Sequence, residues 1–90
     1  MMNDKVFKAL SDENRRQIVR LLRKKSMYPS DLAEKLQVTR PTVSEHLKIL
    51  RDAGLVEMER QGNSILYFLN ASVVEELISY FIEILHKESK

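Results

Sequence analysis

The sequence predicts a mainly α-helical domain carrying one small β-hairpin, in the order α-α-α-α-β-β-α. Three observations lead there. Only two Gly and two Pro interrupt 90 residues. Apolar residues recur at helical spacing from Ile18 to Leu50. The period then switches to two on either side of Gly62 and returns to helical at Val73. This length suits one domain. Its core is small enough that pairing with a second copy is a reasonable expectation.

Val6, Phe7 and Leu10 form a short apolar face, which gives a first helix at about 4–10. Ser11-Asp12-Glu13 then offers a capping oxygen at Ser11 and two acids for the positive end of a helix dipole. Ile18, Leu21 and Leu22 recur behind it. Arg23-Lys24-Lys25 suits the negative end, so the second helix spans about 12–25. Pro29 disfavours helical geometry at Tyr28. Ser30 is expected to cap a short helix from Asp31 to Leu36, with Leu32, Ala33 and Leu36 inward. Gln37-Val38-Thr39 reads as a tight turn. Thr39 caps the next helix, and Pro41 sits in its first turn, where a missing N–H costs nothing. Val43, Leu47 and Leu50 follow at i, i+4 and i+7 up to about Ala53, with Gly54 as a left-handed stop. Leu55 to Arg60 and Ser64 to Leu69 flank Gln61-Gly62-Asn63, a hairpin with a three-residue connection. Cap signals at Asn70 and Ser72 open a last helix at about 72–87. It carries Val73, Val74, Leu77, Ile78, Phe81, Ile84 and Leu85.

Composition removes several function classes. Without Cys there is no disulfide, no thiolate zinc site and no thiol nucleophile, which fits a reducing, cytoplasmic setting. The longest apolar run, Ile65 to Leu69, falls far short of the ~18 residues of a membrane span, so no membrane insertion is expected. The opening MMNDKVFKALSDENRR has no signal-peptide pattern. An enzyme needs converging polar groups. Here there are only two His and no Gly-rich phosphate loop. Ser44 and His46 point ~200° apart on one helix and cannot act as nucleophile and base. Neither an enzyme nor a cofactor is expected.

The net charge is only +2, but it is unevenly spread. Residues 1–25 hold eight basic groups against three acidic, residues 26–70 five against six, and residues 71–90 two against four. A basic segment can face nucleic acid or be a solvated helix face. The element order decides between them. A short helix, a tight turn and a capped helix form a helix-turn-helix, whose second helix enters the major groove of double-stranded DNA. The hairpin behind it is the wing of a winged helix-turn-helix. With Val43, Leu47 and Leu50 inward, Pro41, Glu45 and Lys48 point most nearly outward. Thr39, Arg40, Thr42 and Ser44 lie at the tip and its flanks. Arg40 suits guanine or phosphate, Thr42 and Ser44 base edges or phosphate, and Lys48 phosphate. Glu45 is either an acceptor for cytosine or a plain solvent residue. His46, at the edge of the packed face, suits packing or a phosphate. In the wing, Arg60 and Asn63 flank the tip. Arg60 suits the minor groove or its phosphates, against a solubilising edge charge.

The stretches FKALSDENRRQIVRLL and SDLAEKLQVTRPTVSEHLKILRDAGLVEMERQGNSILYFLN resemble the ArsR family of bacterial winged-helix repressors, most specifically from Thr42 to Leu50 and Ala53 to Val56. The resemblance implies a homodimer that binds an imperfect palindrome near its own promoter and blocks transcription, which places it at the nucleoid. The dimer face is expected on the terminal helices, at Val6, Phe7, Leu10, Val74, Leu77, Ile78, Phe81, Ile84 and Leu85. Metal-sensing members carry two Cys before an Asp-Leu pair, here Asp31-Leu32, and those positions hold Tyr28 and Ser30. The family's other metal site falls on Ala71, Val73, Ile84 and Lys87. His86 nearby reads as a surface residue. No metal site is expected, and the chain is similar to the small autorepressors of the family's non-metal branch. An effector, protein or small molecule, is left open. The rivals are a protein-binding winged helix without sequence-specific DNA contact and an architectural DNA binder, the latter usually far more basic.

Overall fold

A computed structural model describes residues 4–86. Its core is built where five helices and a hairpin meet around Ile18, Leu32, Val43, Leu47, Leu50, Leu55 and Val56, all fully enclosed. The elements are α1 (Asp4–Ala9), α2 (Glu13–Lys24), α3 (Pro29–Leu36), α4 (Arg40–Asp52), β1 (Val56–Gln61), β2 (Ser64–Leu69) and α5 (Ala71–Leu85). This is the winged helix-turn-helix arrangement.

Several boundaries follow from which polar group reaches a backbone end first. Asp12, not Ser11, caps α2: its carboxylate accepts from the Arg15 amide at 3.1 Å. The Ser11 hydroxyl is already engaged, donating to the Lys8 carbonyl at 2.6 Å as α1 ends. α3 begins at Pro29 rather than Asp31, with Tyr28 as its cap residue and no side-chain cap bond. Proline's fixed φ suits the first helical position, so the start moves upstream and Ser30 lies inside the first turn. Gln37 closes α3 in the left-handed region at φ 58°, a conformation unusual for a residue with a side chain. The Val38 amide then bonds the Ala33 carbonyl at 3.1 Å, which seals the turn. α4 matches the sequence pattern. Thr39 accepts from the Thr42 amide, Pro41 lies in the first turn, and Gly54 at φ 82° follows the Ala53 cap.

The hairpin connection is shorter than the sequence pattern implies. Gln61 pairs with Ser64, which leaves a two-residue turn of Gly62 and Asn63. Gly62 takes φ 63° while Asn63 keeps a negative φ, the demand of a type II′ turn with glycine first. Only Val56 of β1 is buried, so the hairpin projects. A bridge between Met27 and Tyr67 ties its base to the α2–α3 connection, with amide-to-carbonyl distances of 3.0 and 2.9 Å. α5 starts at Ala71 under an Asn70 cap and ends at Leu85. Lys87, assigned above to this helix and to a family metal position, lies outside the described residues.

The Asp12 carboxyl sits below its ordinary value, chiefly because the Arg15 amide bonds the ionised form; partial desolvation opposes this, and the nearby Arg15 charge adds to the lowering. A lowered folded value means the cap stabilises fully above the unfolded pKa of ~3.9 and is lost as pH falls through the folded value. Urea melts should therefore show Asp12→Ala costing about 1 kcal/mol at neutral pH, with the gap to wild type closing near pH 2. Asp12→Asn, which keeps an acceptor, should cost less.

Candidate nucleic-acid interface

The turn between α3 and α4 works because Ala33 is small and buried where the helices cross, while Val43 and Leu47 lock α4 onto its neighbours. Burying that face forces the other outward. Thr39, Arg40, Pro41, Thr42, Ser44, Glu45 and Lys48 are all exposed. The hydroxyls of Thr39 and Thr42 lie 2.9 Å apart at the helix tip. Lys48 makes an exposed ion pair with Asp52 at 3.2 Å, one turn along. A pair this exposed is weak and leaves the ammonium available to exchange partners.

In the wing, Arg60 and Asn63 are both exposed. The Arg60 guanidinium donates to the Gly62 carbonyl at 3.4 Å and so folds over the turn. Wing and α4 tip meet in a groove of about 420 Å³, lined by Arg40 and Ser44 on one side and Asn63, Ser64 and Ile65 on the other, with Tyr28, Pro29, Ser30 and Tyr67 as its floor. One guanidinium and five hydroxyls face this space. The set accepts an anion well and carries no carboxylate to repel one. The structure thus brings Arg40, Ser44 and Asn63 together. Thr42, Glu45 and Lys48 stand on the outer face of α4, outside the groove lining.

Tyr28, Ser30, Ser64 and Tyr67 were not singled out as interface residues from sequence. In the sequence Tyr28 and Ser30 read as a helix break, a helix cap and replacements for metal ligands. They reach the groove through the Met27–Tyr67 bridge, a contact between segments forty residues apart that no local pattern announces.

The His46 side chain is 13% exposed and turned toward the domain, in keeping with the packing role of the two expected for it. Arg15 holds it there. The Arg15 guanidinium donates through Nε to the Ala9 carbonyl at 2.7 Å, through Nη2 to the Lys8 carbonyl at 3.2 Å, and lies 3.3 Å through Nη1 from His46 Nδ1. A guanidinium can only donate, so Nδ1 accepts and the ring proton sits on Nε2. Asp12 Oδ2 is 3.9 Å from the same nitrogen.

The apolar residues expected at a dimer face divide in two. Val6 is 3% exposed and belongs to the chain's own core, so it offers a partner nothing. Leu10, Val74 and Leu77 are half-buried against that core. Phe7, Ile78, Phe81, Ile84 and Leu85 remain exposed, joined by Tyr80 and Ile82. Phe7 packs edge-on against Tyr80 and Phe81, with ring centroids 5.6 and 6.4 Å apart, so α1 and α5 share one apolar surface. Among the described residues no three His, Asp or Glu side chains converge as a metal site, and no helix is long and apolar enough to cross a membrane.

Residues 12–58, from the cap of α2 into the wing, match the model of the bacterial regulatory protein, arsR family. The chain belongs to this family. It is 38% identical over 82 residues to the transcriptional repressor SdpR of Bacillus subtilis, covering 91% of each chain. It is 37% identical to the arsenical resistance operon repressor of Staphylococcus aureus, covering 81% of this chain and 70% of that one. Among solved structures, the ArsR-like transcriptional regulator from Rhodococcus sp. RHA1 superposes with a TM-score of 0.86 at 32% identity, covering 94% of this chain and 78% of that one. The ArsR-family chain is thus a DNA-binding transcriptional repressor rather than an enzyme.

Proposed function

We propose that this ArsR-family repressor acts as a homodimer on a palindromic operator beside its own gene, and that no metal ion controls it. The observation that carries the reading is the groove in which the α4 tip and the wing tip converge. α4 enters the major groove with Arg40, Thr42, Ser44 and Glu45 toward base edges. Thr39 and Pro41 shape the tip, where a helix N-terminus can donate N–H groups to a phosphate. The space between Arg40, Ser30 and Asn63 takes the sugar–phosphate backbone. Lys48 and Arg60 add phosphate contacts on either side.

The dimer reading is supported by unmet apolar surface. Ile78, Phe81, Ile82, Ile84 and Leu85 are between 48% and 75% exposed. A contiguous patch of this kind marks an interaction site. The radius of gyration is 14.4 Å, above the ~12 Å expected for a globule of this length. The excess fits a chain whose last helix seeks a partner. A two-fold pair through α5 and Phe7 would set two copies of α4 about one DNA turn, ~34 Å, apart.

Mobility shifts on the DNA upstream of its own coding sequence test the reading. The native duplex should bind far more tightly than a scrambled one, with log K falling against log salt by ~0.9 per neutralised phosphate. Arg60→Ala should weaken all sequences alike, whereas Arg40→Ala and Thr42→Ala should also relax base preference. Equal binding to native and scrambled duplexes would instead favour a winged helix that binds protein.

Soft thiolates are absent and the family's metal positions within the described residues hold Tyr28, Ser30, Ala71, Val73 and Ile84. Operator affinity should therefore be the same in EDTA and in micromolar zinc. Stoichiometric zinc uptake coupled to loss of binding would contradict this.

Sedimentation should show a dimer at tens of micromolar. Phe81→Glu would place an uncompensated charge in the interface at a cost of several kcal/mol, giving a monomer with much weakened operator binding. A monomeric wild type would overturn the dimer.

A further inference from the structure

We propose that Arg15 and His46 form a positioning pair that fixes the recognition helix α4 against the α1–α5 surface, and so controls operator discrimination without touching DNA. The inference rests on the repressor reading above. Apolar packing through Val43, Leu47 and Leu50 holds α4 strongly, but it is non-directional and tolerates small slides and rotations. Hydrogen bonds do not. The Arg15 guanidinium is a rigid fork spread over three acceptors on two other helices. Two of them, the Lys8 and Ala9 carbonyls, lie at the C-terminal end of α1, the negative end of the helix dipole, which favours a cation; Lys8 also accepts from the Ser11 amide and hydroxyl. The third is His46 Nδ1 on α4, 31 residues along the chain.

The same α1 carries Phe7, beside the carbonyls that Arg15 holds, and Phe7 packs on Tyr80 and Phe81 of α5. A continuous set of contacts therefore runs from the apolar face of α5 through α1 and Arg15 to the inner side of α4. A guanidinium engaged on both flanks, beside an inward imidazole, is not a phosphate ligand. Its place in the fold suits it to setting the angle at which α4 leaves the body. A few degrees there moves Thr42 and Ser44 off their base edges while leaving backbone contacts largely intact. The test is a mutant cycle.

The experiment measures affinity for native upstream DNA and for a scrambled duplex, with sedimentation and thermal melts to identify conditions where every variant is folded. Arg15→Lys cannot span the three acceptors. His46→Leu removes the acceptor, and His46→Asn puts Oδ1 near the position of Nδ1. Arg15→Lys and His46→Leu should each lower the native-to-scrambled affinity ratio roughly tenfold. Scrambled affinity, dimerisation and salt slope should stay at wild-type values. The double variant should be no worse than either single, and His46→Asn should restore most of the ratio. An unchanged ratio overturns the proposal. So do losses that multiply in the double variant, or an equal loss on both duplexes with a salt slope smaller by ~0.9, which marks a direct phosphate contact. If Arg15→Lys fails to fold, the His46→Leu and His46→Asn comparison decides alone. A wild type that does not discriminate refutes the repressor reading and this inference together, whereas a discriminating wild type with indifferent variants refutes this inference only.

Discussion

The structure depends on one packed seam: Val43, Leu47 and Leu50 of α4 against Ile18, Leu32 and Ala33 of α2 and α3. These side chains are almost wholly enclosed. Each fully buried aliphatic of this kind contributes on the order of 2 kcal/mol, so the seam is a large share of what a domain this small can bury. It also fixes direction. A helix has one inward face, and giving that face to three aliphatics leaves Arg40, Thr42, Ser44, Glu45 and Lys48 no place but the outside. Ala33 adds the geometric element. A larger side chain at the crossing would push the two helices apart and tilt the exposed tip.

The wing shows how a marginal element is made dependable. A two-stranded hairpin is barely stable by itself. Here Leu55 and Val56 anchor its entry in the core, and the Met27–Tyr67 bridge adds backbone bonds at its base. Beyond that anchor β1 is exposed along its length, and the tip is free to meet a surface. The bridge also draws Tyr28 and Ser30 beside the wing, which creates the polar groove with Arg40 and Ser44. Stability and site arise from the same contact.

Polar side chains settle what apolar packing leaves loose. Asp12 caps α2, Thr39 caps α4 and Asn70 caps α5, each by accepting an amide hydrogen at a helix start. Arg15 joins the end of α1 to α4 through carbonyl and imidazole acceptors. Among the described residues no buried side-chain polar atom is left without a partner. That is the condition under which a small domain can hold directional bonds without loss of stability.

The sequence by itself determined the elements, their order and the outward face of α4. These follow from hydrophobic period, capping residues, Pro41 and Gly54, all of which act within a few residues of chain. It also supplied the family resemblance, because the stretch from Thr42 to Leu50 carries both core and tip. Only tertiary structure decided the rest. Period alone could not tell that Val6 serves its own core while Phe7 faces out, since both lie on one short helix and the difference is set by what packs beside it. The inward turn of His46 depended on Arg15, 31 residues earlier. The groove depended on Tyr67 pairing with Met27, forty residues away. Where a residue's role is fixed by its neighbours along the chain, the sequence states it. Where the role is fixed by a partner brought close only on folding, the packing of the whole domain has to supply it.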